Sequence, residues 1–267
     1  MPRHKADIEG TRSLLGNLIQ EAKLYHSSQE YRELLDFTAR LRDFAPFNAM
    51  LLHLQKPGLT YAATVADWHK RFRRYPKQSV RPLLVMRPFG PVALVYDVLD
   101  TDGEDLPVDA FKFPARGDMS QDQFVGFEKA LQRNAIEPYY FDAGDAKAGS
   151  IQVIKRPEER GEVTHYRISI NRNHAPATRF VTLAHELAHL FLGHLGPDEF
   201  LSIPARQGHS HAQIELEAES VAYVVCNRNG VEARSETYLR YFTDAADKID
   251  IYAIMRAVGK IERLLGL

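Results

Sequence analysis

The stretch Phe180-Val181-Thr182-Leu183-Ala184-His185-Glu186-Leu187-Ala188-His189 decides how this chain is read. On an α-helix, residues four apart share a face, so His185 and His189 aim both imidazoles at one point. Two neutral histidine nitrogens at about 2.0–2.1 Å suit Zn²⁺, and Glu186 lies beside them to act on a water held by the metal. Val181, Ala184, Leu187, Ala188, Leu190, Phe191 and Leu192 make the helix apolar nearly all round, as a buried active-site helix is. Seven of the eleven histidines fall between 165 and 211. The plain alternative is a core helix with two packed or hydrogen-bonded histidines.

A catalytic zinc needs a third protein ligand and an open position. His194 is nearest, but it follows His189 by five residues, and the metzincin pattern needs six with an intervening glycine. His209 and His211 are further options. A better candidate is Ile214-Glu215-Leu216-Glu217-Ala218-Glu219-Ser220, read as a second helix. Glu215 and Glu219 share one face with Ala222 and Cys226, while Glu217 points elsewhere. A carboxylate from a second helix completes a His₂Glu site in thermolysin. Glu215 is therefore assigned as ligand and Glu219 as the acid that accepts a hydrogen bond from a ligand histidine. The reverse assignment stays open, as does a solvated face carrying all three glutamates. An oxyanion donor is expected without being located; Tyr223, Tyr238, Tyr241, His209 and His211 are the candidates.

Working outward, Pro176 starts the first of these helices and Gly193 ends it near Leu192, and the second runs from about Ser210 to Asn227. Ser235 is expected to cap a third, with the rest helical to Leu264. Short strands are predicted at 138–141, 151–155 and 163–170, after a helix at about 120–134 capped by Ser120. Ahead of them, 100–118 is rich in Asp, Pro and Gly and reads as a linker. The N-terminal part reads as helices over 5–26 and 28–44, a short one at 47–55 and another within 62–75, then strands at 83–87 and 92–99 joined by a hairpin at 88–91. The fold class is α+β: N-terminal helices with a small antiparallel sheet, then a zincin-like unit of helix, small sheet and helical tail. The boundary is drawn as 1–105 and 106–267.

The chain has 267 residues with 45% apolar and 26% charged, which excludes wholesale disorder. Its single cysteine, Cys226, forms no intramolecular disulfide and reads as a small core residue, which suits a reducing compartment. No apolar stretch reaches the roughly 18 residues of a membrane span, and the N-terminus lacks a secretory apolar run. The expectation is a cytoplasmic protein with no membrane partner.

The net charge of -1 hides a split. Residues 1–90 hold 15 Lys/Arg against 8 Asp/Glu, and 91–267 hold 19 against 27. No acid occurs between Asp67 and Asp97. The run His69-Lys70-Arg71-Phe72-Arg73-Arg74-Tyr75-Pro76-Lys77 mixes cations that attract phosphates with aromatics on which unstacked bases can lie. Lys70, Arg71, Arg73, Arg74 and Lys77, with Trp68 as stacking surface, are the candidate nucleic-acid contacts. The plain alternative is a solvated helix face with Trp68 and Phe72 in the core.

The His185–His189 segment followed by Glu215–Glu219 resembles the ImmA/IrrE-type metallopeptidases, whose second motif is Glu-x-x-Ala followed by Asn, Asp or Glu. Ser220 to Cys226 and the later Tyr238-Leu239-Arg240-Tyr241 resemble the subgroup related to ArdC-type antirestriction proteins. Phe47-Asn48-Ala49-Met50-Leu51-Leu52, then Thr64 to Trp68 and the basic run, is similar to the N-terminal single-stranded-DNA-binding domain of those proteins. The resemblance implies a zinc metallopeptidase acting on a protein or peptide, with Zn²⁺ as cofactor and single-stranded DNA as partner. It also implies a role in stress response, mobile-element regulation or antirestriction. A rival class is a DNA-protecting protein whose zinc site is structural or vestigial; Glu186 argues against it, since a structural site has no need of that carboxylate. A zinc-dependent nuclease fits the motif less well.

Overall fold

The computed structural model describes residues 28–87, 92–106, 119–144, 147–159, 161–206, 208–233 and 249–267. The expected helix at 5–26, the hairpin turn at 88–91 and the Ser235 cap lie outside these. The chain divides into two compact units: one of residues 1–25 and 41–114, the other of 26–40 and 115–267. The described residues form the expected α+β fold.

In the second unit, α1 is Ser28–Arg40. It buries Tyr31, Leu34, Leu35 and Phe37, an apolar stripe at helical spacing. Composition places this helix ahead of the 105/106 boundary, yet it belongs to the compact unit of the metal-motif helices. Among the described residues, the first helix of the other unit is α2, Pro46–Gln55, started by a proline that needs no N–H partner.

Two-residue β1 (Ala62–Ala63) precedes α3, Val65–Phe72. Thr64 caps α3 by accepting from the Asp67 N–H, and Arg73 ends it in the left-handed region at φ 52°. Then come β2 (Arg74–Pro76), β3 (Leu83–Val85), β4 (Ala93–Asp97) and β5 (Thr101–Gly103). β4 lies between β1 and β3, antiparallel to both, and β2 pairs antiparallel with β5.

Two amide side chains two turns apart on α2 stand in for a further strand. Asn48 exchanges hydrogen bonds with the backbone of Met86 at 3.0 and 2.8 Å, and Gln55 does the same with Leu84 at 2.9 and 2.8 Å. They satisfy backbone groups that a strand edge would otherwise leave open.

The remaining elements build the second unit. α4 (Gln121–Arg133) opens on a capping box in which Ser120 and Gln123 satisfy each other's backbone N–H. The strands β6 (Ile136–Phe141), β7 (Gly149–Lys155) and β8 (His165–Asn171) form a sheet ordered β6-β8-β7, parallel in the first pair and antiparallel in the second. α5 is Pro176–Phe191, α6 is His211–Arg228 and α7 is Ile251–Leu265.

β8 alternates, burying Tyr166, Ile168 and Ile170, and α5 buries Phe180, Leu183, Ala184, Leu187 and Ala188. α5 packs on β7, β8 and α6, and α6 packs in turn on α1 and α7. Tyr31 of α1 donates to Ser220 of α6 at 2.8 Å, both buried. Cys226 is fully buried, and burial raises its thiol pKa, so it is an inert core residue as read. Among the described residues no helix is long and apolar enough to cross a membrane.

Candidate metal centre

α5 and α6 bring His185, His189 and Glu215 together, with one ligand atom from each within 4.8 Å of the others. His185 Nε2 and His189 Nε2 are 3.0 Å apart. Glu215 reaches them at 3.6 and 3.8 Å through its two oxygens. A tetrahedral ion with bonds of about 2.0–2.2 Å separates its ligand atoms by roughly 3.3–3.5 Å. The imidazole pair is slightly closer than that, and the two carboxylate contacts, made by different oxygens, are slightly longer, so the three side chains are near enough to close on a divalent cation. The donor set of two imidazoles and a carboxylate suits a divalent cation.

Electrostatics agree with this fit. Burial, helped by His194, pushes His185 down to about 4. Burial, then His185, His194 and His211, push His189 down to about 3. Both rings are therefore neutral and able to coordinate near neutral pH. Burial and the charge of Glu215 raise Glu186 to about 7 against the opposing backbone N–H of Ile151 in β7. The same two causes raise Glu219 to about 7. Carboxylates crowded in a half-buried site are expensive without a cation among them.

Glu219 stands 3.5 Å from His185 Nδ1, on the side of the ring away from the cluster. His211 Nδ1 lies 3.8 Å from Glu215 but is 82% exposed. His209 stacks loosely near His194, ring centroids 6.5 Å apart. Tyr223 donates its hydroxyl to Asp36, and Tyr238 and Tyr241 lie outside the described residues.

Sequence reasoning passed over three residues. His194, set aside for its spacing, has Nδ1 3.0 Å from Nδ1 of His189. Its Nε2 lies 3.3 Å from Glu217, which is fully buried and gripped by Arg206 at 2.8 and 2.9 Å. Burial alone would raise Glu217; the bonds from His194 and Arg206 outweigh it and hold the carboxyl at about 2. The signal was present: Glu217 shares a helical stripe with Val221 and Val224, and a charge on an apolar stripe demands a buried partner.

The basic run lies in the first unit and divides. Trp68 is fully buried, with Nε1 donating to the Tyr96 carbonyl at 2.8 Å and the ring packed on Tyr61 and Phe72. This corrects its reading as a stacking surface: its i, i+4 spacing to Phe72 puts both on the core side of α3. Arg74 is committed to Thr101 and to the Glu104 carbonyl. Arg71 bonds the Tyr61 hydroxyl at 2.8 Å, and Lys77 bonds the Leu99 carbonyl at 2.9 Å. Lys70 and Arg73 are exposed. The exposed aromatic here is Tyr75, 52% accessible, with its ring 4.9 Å from that of His69.

Comparison with curated proteins gives no match. Two crystal structures of the antirestriction protein ArdC from plasmid R388, metal-free and Mn(II)-bound, are similar at 17% and 16% identity. Each gives a TM-score of 0.43 and covers 82% of this chain and 81% of that one. The family model Peptidase_M78, described as the IrrE N-terminal-like domain, matches residues 143–247, a span containing α5, α6 and every residue of the His185, His189 and Glu215 cluster. The segment 143–247 is thus similar to the IrrE N-terminal-like domain, in line with the family its two motifs resemble.

Proposed function

We propose that this protein is a cytoplasmic zinc-dependent metallopeptidase whose hydrolytic site is joined to an N-terminal DNA-binding domain within about residues 1–105, apart from α1. The observation that carries the reading is the convergence of His185, His189 and Glu215 with Glu186 beside them. Zn²⁺ held by those three residues would polarise a peptide carbonyl and acidify its water towards a pKa of about 7. Glu186, raised to about 7, takes a proton and returns it to the leaving amine, because a general base works best near the ambient pH. The Ile151 N–H holds that carboxylate. Glu219 orients His185 by accepting from Nδ1. β7 pairs with β8 along one side only among the described strands, so its other edge is available to an extended peptide running past Glu186.

The DNA-binding part rests on the acid-free span between Asp67 and Asp97 and on the exposed Lys70, Arg73 and Tyr75. Phosphates meet the cations and an unpaired base stacks on Tyr75, which favours single strands. The role fits stress response, mobile-element regulation or antirestriction.

Metal analysis of the full chain tests the site. Wild type is expected to bind one zinc per chain and His185→Ala none. Zinc retained by His185→Ala overturns the ligand assignment. Tight zinc binding without any Glu186-dependent cleavage favours the DNA-protecting alternative.

A further inference from the structure

α5 ends in a turn that aims one side chain at the metal cluster. The Gly193 N–H bonds the Leu190 carbonyl at 3.0 Å and the His194 N–H bonds the His189 carbonyl at 3.0 Å, the paired bonds of a Schellman motif. Gly193 takes φ 80°, and a Cβ there would stand 2.8 Å from the Pro204 carbonyl, so only glycine fits. In this motif the residue after the glycine contacts the residue three before the helix cap. Here those residues are His194 and His189, and the usual apolar contact is replaced by the 3.0 Å approach of their Nδ1 atoms.

The hydrogens then have one consistent assignment. A His189 that coordinates through Nε2 carries its proton on Nδ1 and must donate it. His194 Nδ1 must accept, so His194 carries its own proton on Nε2 and donates it to Glu217, 3.3 Å away. Glu217 accepts, because Arg206 donates twice to it and the Asp250 N–H donates at 3.2 Å. Reversing the direction leaves a lone pair of His194 facing a carboxylate and a hydrogen on the nitrogen of His189 that faces the cluster. The buried Arg206–Glu217 pair therefore selects, through His194, the tautomer of His189 that can bind a metal.

We propose that His194 and Glu217 are positioning residues for the metal site, fixing His189 as an Nε2 donor. This rests on the metallopeptidase reading above and adds a part that the two motifs do not contain.

The test is zinc affinity of the full chain, by competition with a chromophoric chelator, for wild type, His194→Leu and His194→Asn. The melting temperature of each metal-free protein is recorded alongside. The asparagine amide oxygen can occupy the Nδ1 position and accept from His189; leucine cannot. His194→Leu is expected to weaken zinc binding about 10–100-fold, and His194→Asn to recover most of the loss. Equal affinity in wild type and His194→Leu overturns the proposal and leaves the metal reading standing. Equal losses in both variants reduce His194 to packing and also overturn it. A wild type that binds no zinc removes the metal reading and the proposal together. Should His194→Leu not fold, nitrogen NMR of the zinc-loaded wild type decides: protons on His189 Nδ1 and His194 Nε2 support the relay, and any other placement contradicts it.

Discussion

Glu219 Oε1 lies 3.5 Å from Nδ1 of His185, on the opposite side of the ring from the nitrogen that faces His189 and Glu215. One helical turn separates the two glutamates on α6, and that turn divides their roles. Glu215→Gln removes a charged donor and is expected to abolish tight zinc binding. Glu219→Gln is expected to weaken it about 10–100-fold. Chelator competition on both variants checks this; a larger loss from Glu219→Gln would reverse the assignment.

Metal stabilisation is expected to depend on pH. In the folded metal-free chain Glu186 and Glu219 titrate near 7, above their unfolded values, so they remove stability as pH rises towards 7. His185 and His189, held at about 4 and 3, act the other way. Below about 6.5 the unfolded chain gains protons that the folded one refuses, so stability falls with falling pH. A cation needs neutral histidines and relieves the crowded carboxylates. The rise in melting temperature with saturating zinc over chelator is therefore expected to be greater at about pH 8 than at about pH 5.5. An equal or smaller rise at the higher pH contradicts the electrostatic account.

Gly149 lets β7 lie close against α5. A Cβ there would stand 2.5 Å from Thr182 Cγ2 and 2.6 Å from the Ser169 carbonyl. Gly149→Ala is expected to cost about 1–3 kcal/mol in denaturant unfolding by pushing the strand outward. Ile151, which bonds Glu186, moves with it. A change within about 0.5 kcal/mol, typical of an unconstrained surface site, refutes the tight packing.

The buried Trp68 and exposed Tyr75 separate structural from binding aromatics. Tyr75→Ala is expected to cost about 1–3 kcal/mol in affinity for an oligothymidylate. Lys70→Ser with Arg73→Ser is expected to flatten the salt dependence by about 0.7 for each phosphate no longer neutralised. Trp68→Phe should leave affinity unchanged in protein that remains folded. Fluorescence anisotropy over a salt series reads all three, and an unaltered slope in the double variant would sink the phosphate assignment.

The metal-motif helices were legible because their signals are local. Pro176, Ser210 and Gly193 mark their ends, and the i, i+4 spacings place His185 with His189 and Glu215 with Glu219 whatever the surroundings. Three things were illegible because tertiary contacts decide them. α1 belongs to the unit of α6, where Tyr31 meets Ser220 far along the chain. Trp68 is core because it and Phe72 pack on Tyr61, with Arg71 laid over the Phe72 ring, a tertiary arrangement that a count of the run does not reveal. Glu217 was legible as pointing away from Glu215 and Glu219, but its partner was not, because only the folded loop carrying Arg206 brings that guanidinium to it.

The most direct test of the account compares zinc-loaded wild type and Glu186→Gln on a proteome-derived peptide library, reading new termini by mass spectrometry and metal content in parallel. The account predicts new cleavage products for wild type and none for Glu186→Gln, with zinc at one equivalent in both. Zinc-loaded wild type that cleaves nothing, or Glu186→Gln that cleaves equally well, would contradict it.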